Sequence, residues 1–180
     1  MLSRLLTKYR EVVVPAMRAK FGYKNMMAVP QVEKIVVNVG FGRLSKEPKM
    51  VERIEKDLAK ITGQKPTLRK AKKSIAGFKV RQGMAIGMVV TLRGRRMYDF
   101  MDRLIAVALP RSRDFHGIDA RSLDEGGNLS IGVREHNIFP EVTYESLKDI
   151  FSLEVTIATN ARSRAEGIEL LGLMGFPIKA

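Results

Sequence analysis

The densest chemistry-bearing stretch of the chain is RKAKKSIAGFKVRQG, residues 69–83, where Arg69, Lys70, Lys72, Lys73, Lys79 and Arg81 stand without one acid among them. Cationic side chains at that density track phosphates, Ser74 adds a hydroxyl, and Phe78 beside Gly77 offers a ring on which an exposed base or sugar can stack. The other reading of Phe78 is a plug packed back on its own domain. The run lies inside a wider one. Residues 58–98 hold eleven cations (Lys60, Lys65, Arg69, Lys70, Lys72, Lys73, Lys79, Arg81, Arg93, Arg95, Arg96) and no Asp or Glu. A surface built only for solubility mixes both signs, so a stretch of this length without a compensating carboxylate points to a polyanion. The formal charge is +6 over residues 1–57, +11 over 58–98 and −4 over 99–180, for a total of +13.

The remaining constellations are weak. VGFGRLS sits between a strand pattern and a helix pattern, but Ser45 occupies the place of the third glycine of a dinucleotide fingerprint, and no acid follows a second strand at the required distance. A nucleotide-using enzyme built on that turn is therefore a distant rival. His116 and His136 lie in polar segments and are expected at the surface; without cysteines or an i, i+4 histidine pair they suggest no metal site. No nucleophile-elbow motif is present, and no catalysis, cofactor or small-molecule substrate is expected. The longest glycine-free apolar run, LIAVAL, falls far short of the roughly 20 residues that span a bilayer. A peripheral membrane protein is the other rival, disfavoured because the first helix mixes Glu11 and Pro15 into its faces. The opening MLSRLLTKYR has the composition of a presequence, but the helical period runs on past Glu11, so it reads as a first helix.

The elements that must position the cations follow from periodicity. One domain is expected over residues 1–180, with a basic loop at 69–83 and an irregular excursion at 110–128. Leu2, Leu5, Leu6, Tyr9, Val13 and Met17 recur at helical spacing, and Pro15 is expected to bend or end that helix. KIVVNVG alternates as a strand, with Ile35, Val37 and Val39 on one face and Val36 and Asn38 on the other. A second helix starts near Pro48 and stops at Gly63. MAIGMVVTLR is again a strand, its Met84, Ile86, Met88, Val90 and Leu92 inward. Its other face carries Ala85, Gly87, Val89, Thr91 and Arg93, which with Asn38 makes a flat, polar surface suited either to solvent or to a rigid partner. A helix over residues 96–110, strands over 129–135 and 153–159, and a last helix opened by Ser163 and Glu166 in capping-box spacing complete the pattern. Residues 136–151 read as irregular with room for one short helix. Mixed helices and strands without strict alternation predict an α+β fold with an antiparallel-rich sheet and helices on one face.

Four blocks carry a family likeness. GQKPTLRKAKKSIAGFKVRQGMAIG resembles the signature of the bacterial 5S-rRNA-binding large-subunit ribosomal protein five family, and IVVNVGFGRLSKEPK, RMYDFMDRLIAVALPRSRDFHGI and GGNLSIGVREHNIFPEV are similar to further blocks of it, in order and over nearly the whole chain. The resemblance implies a ferredoxin-like α+β fold whose open sheet face binds 5S rRNA in the central protuberance of the cytoplasmic ribosome. On that likeness Asn38, Gln64, Thr91 and Arg93 are the 5S rRNA contacts. Lys72, Lys73, Ser74, Phe78, Lys79 and Arg81 belong to a loop reaching the P-site tRNA. Arg111, Arg113, Asp114, His116, Phe139 and Glu141 face the small subunit, where small-subunit ribosomal protein thirteen is met. 23S rRNA and other 5S-associated ribosomal proteins are the further partners implied, and a non-ribosomal RNA-binding protein is the alternative. His116 stands where the family commonly has Arg, Leu129 where it commonly has an aromatic, and FSLEVTIAT departs from the usual lead into the last strand, which bears on the small-subunit side.

Overall fold

The computed structural model describes residues 3–42, 47–113, 115–142 and 150–179. The N-terminal rod begins as α1 (Arg4–Lys8), widens into a π-helical turn at Tyr9–Val13 and continues as α2 (Val14–Phe21). Pro15 thus does not end it. Proline lacks the N–H that would bond back one turn and its ring crowds that carbonyl; the wider turn immediately upstream absorbs both effects. The rod stops at Gly22, whose φ of +72° is the left-handed cap that favours glycine.

β1 (Val32–Gly40) follows, then α3 (Pro48–Thr62), with proline in its first turn and Gly63 as its left-handed cap. Ile54, Leu58 and Ile61 of α3 are fully buried. β2 (Thr67–Lys70) and β3 (Ala85–Leu92) form a hairpin around the basic loop. α4 (Gly94–Arg103), a second π-helical turn at Leu104–Ala108 and α5 (Leu109–Arg111) repeat the first rod's arrangement ahead of Pro110. The chain ends through β4 (Ile118–Asp119), β5 (Leu129–Val133), β6 (Leu153–Thr159), α6 (Arg164–Met174) and β7 (Ile178–Lys179). Five strands make an antiparallel sheet of order β2-β3-β1-β6-β5, and β4 pairs in parallel with β7. The fold is α+β and consistent with the ferredoxin-like class expected from the sequence. Among the described residues no helix is long and apolar enough to cross a membrane.

The chain divides into two compact units. One takes in the chain up to Ile35, Leu92–Ile131 and the chain from Thr156 on; the other is Val36–Thr91 with Gly132–Val155. In the first, the Tyr9 hydroxyl donates to the Pro30 carbonyl at 3.0 Å, and burial, with Tyr98 nearby, pushes that phenol up to about 12. The Ser163 side chain accepts from the Glu166 N–H at 3.3 Å and caps α6, while the Glu166 carboxylate reaches back to the Arg162 N–H at 2.8 Å, one residue before the usual capping-box partner. Gly167 of α6 packs directly on the backbone of Gly127, itself at φ +75°.

The second unit corrects one expectation about the histidines. His116 is exposed, but His136 is 1% exposed, stacked on Phe151 with ring centroids 4.0 Å apart, and its Nδ1 accepts from the Phe151 N–H at 3.3 Å. Its polar sequence neighbours conceal that the short 3-10 turn His136–Ile138 directs the ring inward. Of the stretch 136–151 expected to be irregular, residues 143–149 lie outside the described residues.

Candidate nucleic-acid interface

The site begins with alternation along β1 and β3. Val37 and Val39 of β1 and Met88, Val90 and Leu92 of β3 are buried, so their neighbours Val36, Asn38, Ala85, Gly87, Val89 and Thr91 point to the other face. That face stays uncluttered. Asn38 and Thr91 are exposed, and among the described residues neither side chain makes a hydrogen bond within the protein. A Cβ on Gly87 would lie 2.9 Å from the Val39 carbonyl oxygen, so the close approach of β1 to β3 keeps this position bare.

Gln64 is arranged differently. Its side chain is half-buried and its Nε2 donates to the Thr91 carbonyl at 3.3 Å, while its own carbonyl accepts from Thr62 Oγ1 at 3.0 Å. It ties the end of α3 to the end of β3 and holds Thr91 in place. Arg93 belongs to the other compact unit, where it is exposed, precedes α4 and donates from Nη1 to the Glu33 carbonyl at 3.5 Å.

Two residues of this face escaped the sequence pattern. The β2–β3 register sets Thr67 opposite Val89 and Arg69 opposite Gly87, so both share the outward face of β3. β2 has four residues, all exposed, and TLRK is too short and too polar to show alternation; only a hairpin pairing fixed by β3 could have revealed it.

The basic segment is more ordered than a loop. Beyond a bulge at Arg69/Lys70, the Ala71 N–H donates to the Met84 carbonyl at 2.8 Å and the Gly83 N–H to the Ala71 carbonyl at 3.0 Å. Ile75 and Val80 then exchange both backbone hydrogen bonds, at 2.9 and 3.2 Å, and the Gln82 N–H donates to Ser74 Oγ at 2.9 Å. A turn at Ala76–Phe78 closes the tip, with Lys79 at φ +53°, a left-handed conformation costly for a side-chain-bearing residue. Lys72, Lys73, Lys79 and Arg81 are exposed around it, and Phe78 at 77% exposure is no plug. The hairpin presents an aromatic tip ringed by cations.

The residues assigned to the small-subunit side are not gathered into one site. Arg111, Arg113 and His116 are exposed on one unit, and Asp114 lies outside the described residues. Phe139 and Glu141 belong to the other unit. Phe139 is 1% exposed, so its ring fills the core and cannot present a contact surface; Glu141 is half-buried. Of the VGFGRLS turn, residues 43–45 lie outside the described residues.

A bare sheet face bordered by an acid-free cationic hairpin with an aromatic tip defines a nucleic-acid-binding protein of the α+β class. Comparison with known proteins specifies it further. Residues 25–81 match the profile described as ribosomal protein L5, and residues 85–178 that of the ribosomal L5P family C-terminus. Among its relatives, the large ribosomal subunit protein uL5 of Carboxydothermus hydrogenoformans is 53% identical over 98% of both chains. Those of Halothermothrix orenii and Dictyoglomus turgidum are 51% identical over 98% of both chains, and 53% identical over 97% of this chain and 98% of the relative. The chain belongs to the ribosomal protein L5 family. It is a structural, non-enzymatic constituent of the large subunit of the cytoplasmic ribosome, which sets aside both the nucleotide-using enzyme and the non-ribosomal RNA-binding protein.

Proposed function

We propose that the protein binds 5S rRNA through Asn38, Thr91 and Arg93, with Gln64 holding the Thr91 backbone, and that the hairpin residues Lys72, Lys73, Ser74, Phe78, Lys79 and Arg81 reach the P-site tRNA. The observation that carries the reading is the exposure of Asn38 and Thr91 on a face whose other β1 and β3 residues are small or half-buried. Short polar groups on such a plane suit hydrogen bonding to the riboses and base edges of a folded RNA. The hairpin suits a second, projecting contact, because its ladder holds the cations away from the sheet. Arg111, Arg113, His116 and Glu141 remain proposed contacts toward small-subunit protein thirteen. 23S rRNA and other 5S-associated ribosomal proteins complete the proposed surroundings.

A gel-shift titration with 5S rRNA, against equal-length duplex RNA as competitor, tests the reading. Specific retention in the presence of duplex is expected. Equal displacement by both RNAs would reduce the interface to general attraction between a basic protein and a polyanion.

A further inference from the structure

A second cationic surface lies on the N-terminal rod, and none of the contacts above uses it. Arg10, Val14 and Arg18 recur at four-residue intervals along one side of the rod, Pro15, Ala19 and Gly22 run beside them, and Tyr23, Lys24 and Met26 close a concavity of about 510 Å3. Several local features shape it. The π-helical turn carries Arg10, and the left-handed Gly22 reverses the chain so that Tyr23 folds back beside α2. Arg18 Nε fastens the return by donating to the Tyr23 carbonyl at 3.3 Å, and the Asn25 side chain accepts from the Met27 N–H at 2.9 Å to fix the turn that bears Met26.

The lining holds Arg10, Arg18 and Lys24 and no acid. All three are exposed, and among the described residues none is engaged in an ion pair. Between them lie Pro15, Ala19 and the thioether of Met26, which is 60% exposed, over a Val14 that is itself buried. A bare anion would use the rim and leave that surface idle, whereas an unpaired nucleotide carries both a phosphate and a flat apolar base. The volume falls in the range of about 300 to 1,000 Å3 typical of small-ligand pockets, and bases stacked inside a duplex could not enter it.

We propose that this concavity takes one unpaired RNA nucleotide, its phosphate among Arg10, Arg18 and Lys24 and its base against Val14, Pro15 and Met26. Membership of an rRNA-binding family favours an RNA strand over an acidic peptide as the source of the anion.

The test uses the full chain with 13C-methyl methionine, the Met26 signal being assigned through Met26→Leu. Single-stranded tetrauridylate is expected to shift that methyl saturably, and uridine monophosphate to shift it more weakly. Arg10→Ala with Lys24→Ala, both exposed positions, should raise Kd roughly tenfold or more and flatten the slope of log K against log salt by up to about 0.7, the share of the one phosphate they contact. Ala19→Leu fills the floor without changing charge and should weaken binding while leaving the circular dichroism and melting curve intact. A silent Met26 methyl during tetrauridylate titration would overturn the proposal. So would equal effects from duplex RNA, inorganic phosphate or tetraglutamate, or unchanged affinity in both variants. Because the readout is local to Met26, it stands or falls separately from 5S rRNA binding at Asn38 and Thr91.

Discussion

Asn38 and Thr91 test the sheet face most directly, since their side chains lack partners within the described protein and their loss creates no buried vacancy. Thr91→Ala and Asn38→Ala are each expected to weaken 5S rRNA binding by roughly 1 kcal/mol, one hydrogen bond at a desolvated surface, and to leave the denaturant midpoint nearly unchanged. Filter binding and urea unfolding on the same preparations separate the two effects. Gln64 should behave otherwise: Gln64→Ala releases the Thr91 carbonyl as well, so it should lower stability together with affinity. Gly87→Ala addresses the same surface from the backbone side. A methyl group 2.9 Å from the Val39 carbonyl forces β1 and β3 apart, and a cost of about 1 to 3 kcal/mol is expected in unfolding experiments. A neutral Gly87→Ala would mean that the two strands yield without strain.

At the scale of elements, the hairpin and the sheet should separate functionally. Reversing Lys73→Glu with Arg81→Glu alters exposed groups on a ladder whose hydrogen bonds are made by the backbone and Ser74. The double variant is expected to fold normally and to retain 5S rRNA binding, while occupancy of the P site by tRNA falls in reconstituted ribosomes. Lost 5S binding in the purified pair would show that hairpin and face act as one surface. The elements also show what a sequence can disclose. β6 emerges at its observed bounds because LEVTIAT alternates over its whole length, and α3 because Pro48 and Gly63 punctuate both ends. β2, β4 and β7 stay hidden because two to four residues carry no period, and their pairing is set by distant partners: β3 for β2, and the chain terminus for β4. Pro15 does not end its helix, because the π-helical turn just upstream accommodates it, and that turn leaves the apolar spacing almost unchanged. His136 and Phe139 are buried through a turn whose local composition is polar, information that lies in tertiary packing alone. For the proposed interface, the exposed face is legible as the complement of the core pattern, whereas the bond from Gln64 to the Thr91 carbonyl joins residues far apart in the chain and leaves no local mark in the sequence.

For the whole molecule, charge and burial lead to two solution behaviours. With five or six phosphates neutralised at about −0.7 to −0.9 each, log K for 5S rRNA should fall with log salt at a slope near −4 to −5, and a slope near zero would exclude an electrostatic interface. The second behaviour concerns alkali. Tyr9 is held protonated by burial up to about 12, and burial likewise raises Tyr98, so neither phenol readily ionises in the folded protein. In the unfolded chain tyrosine ionises near 10. Below that pH both states are protonated and stability is intact; from about pH 10 to 12 the unfolded state releases protons that the folded state retains, and stability falls. The Tyr9 contribution lost across that window is on the order of 2 kcal/mol. Urea unfolding between pH 8 and pH 12 should show the decline. Tyr9→Phe gives up the hydroxyl bond to Pro30, so it should be less stable at pH 8 yet decline less steeply above pH 10. Parallel pH profiles for the two proteins would place the alkaline sensitivity elsewhere than in the contact between the N-terminal rod and the segment leading into β1.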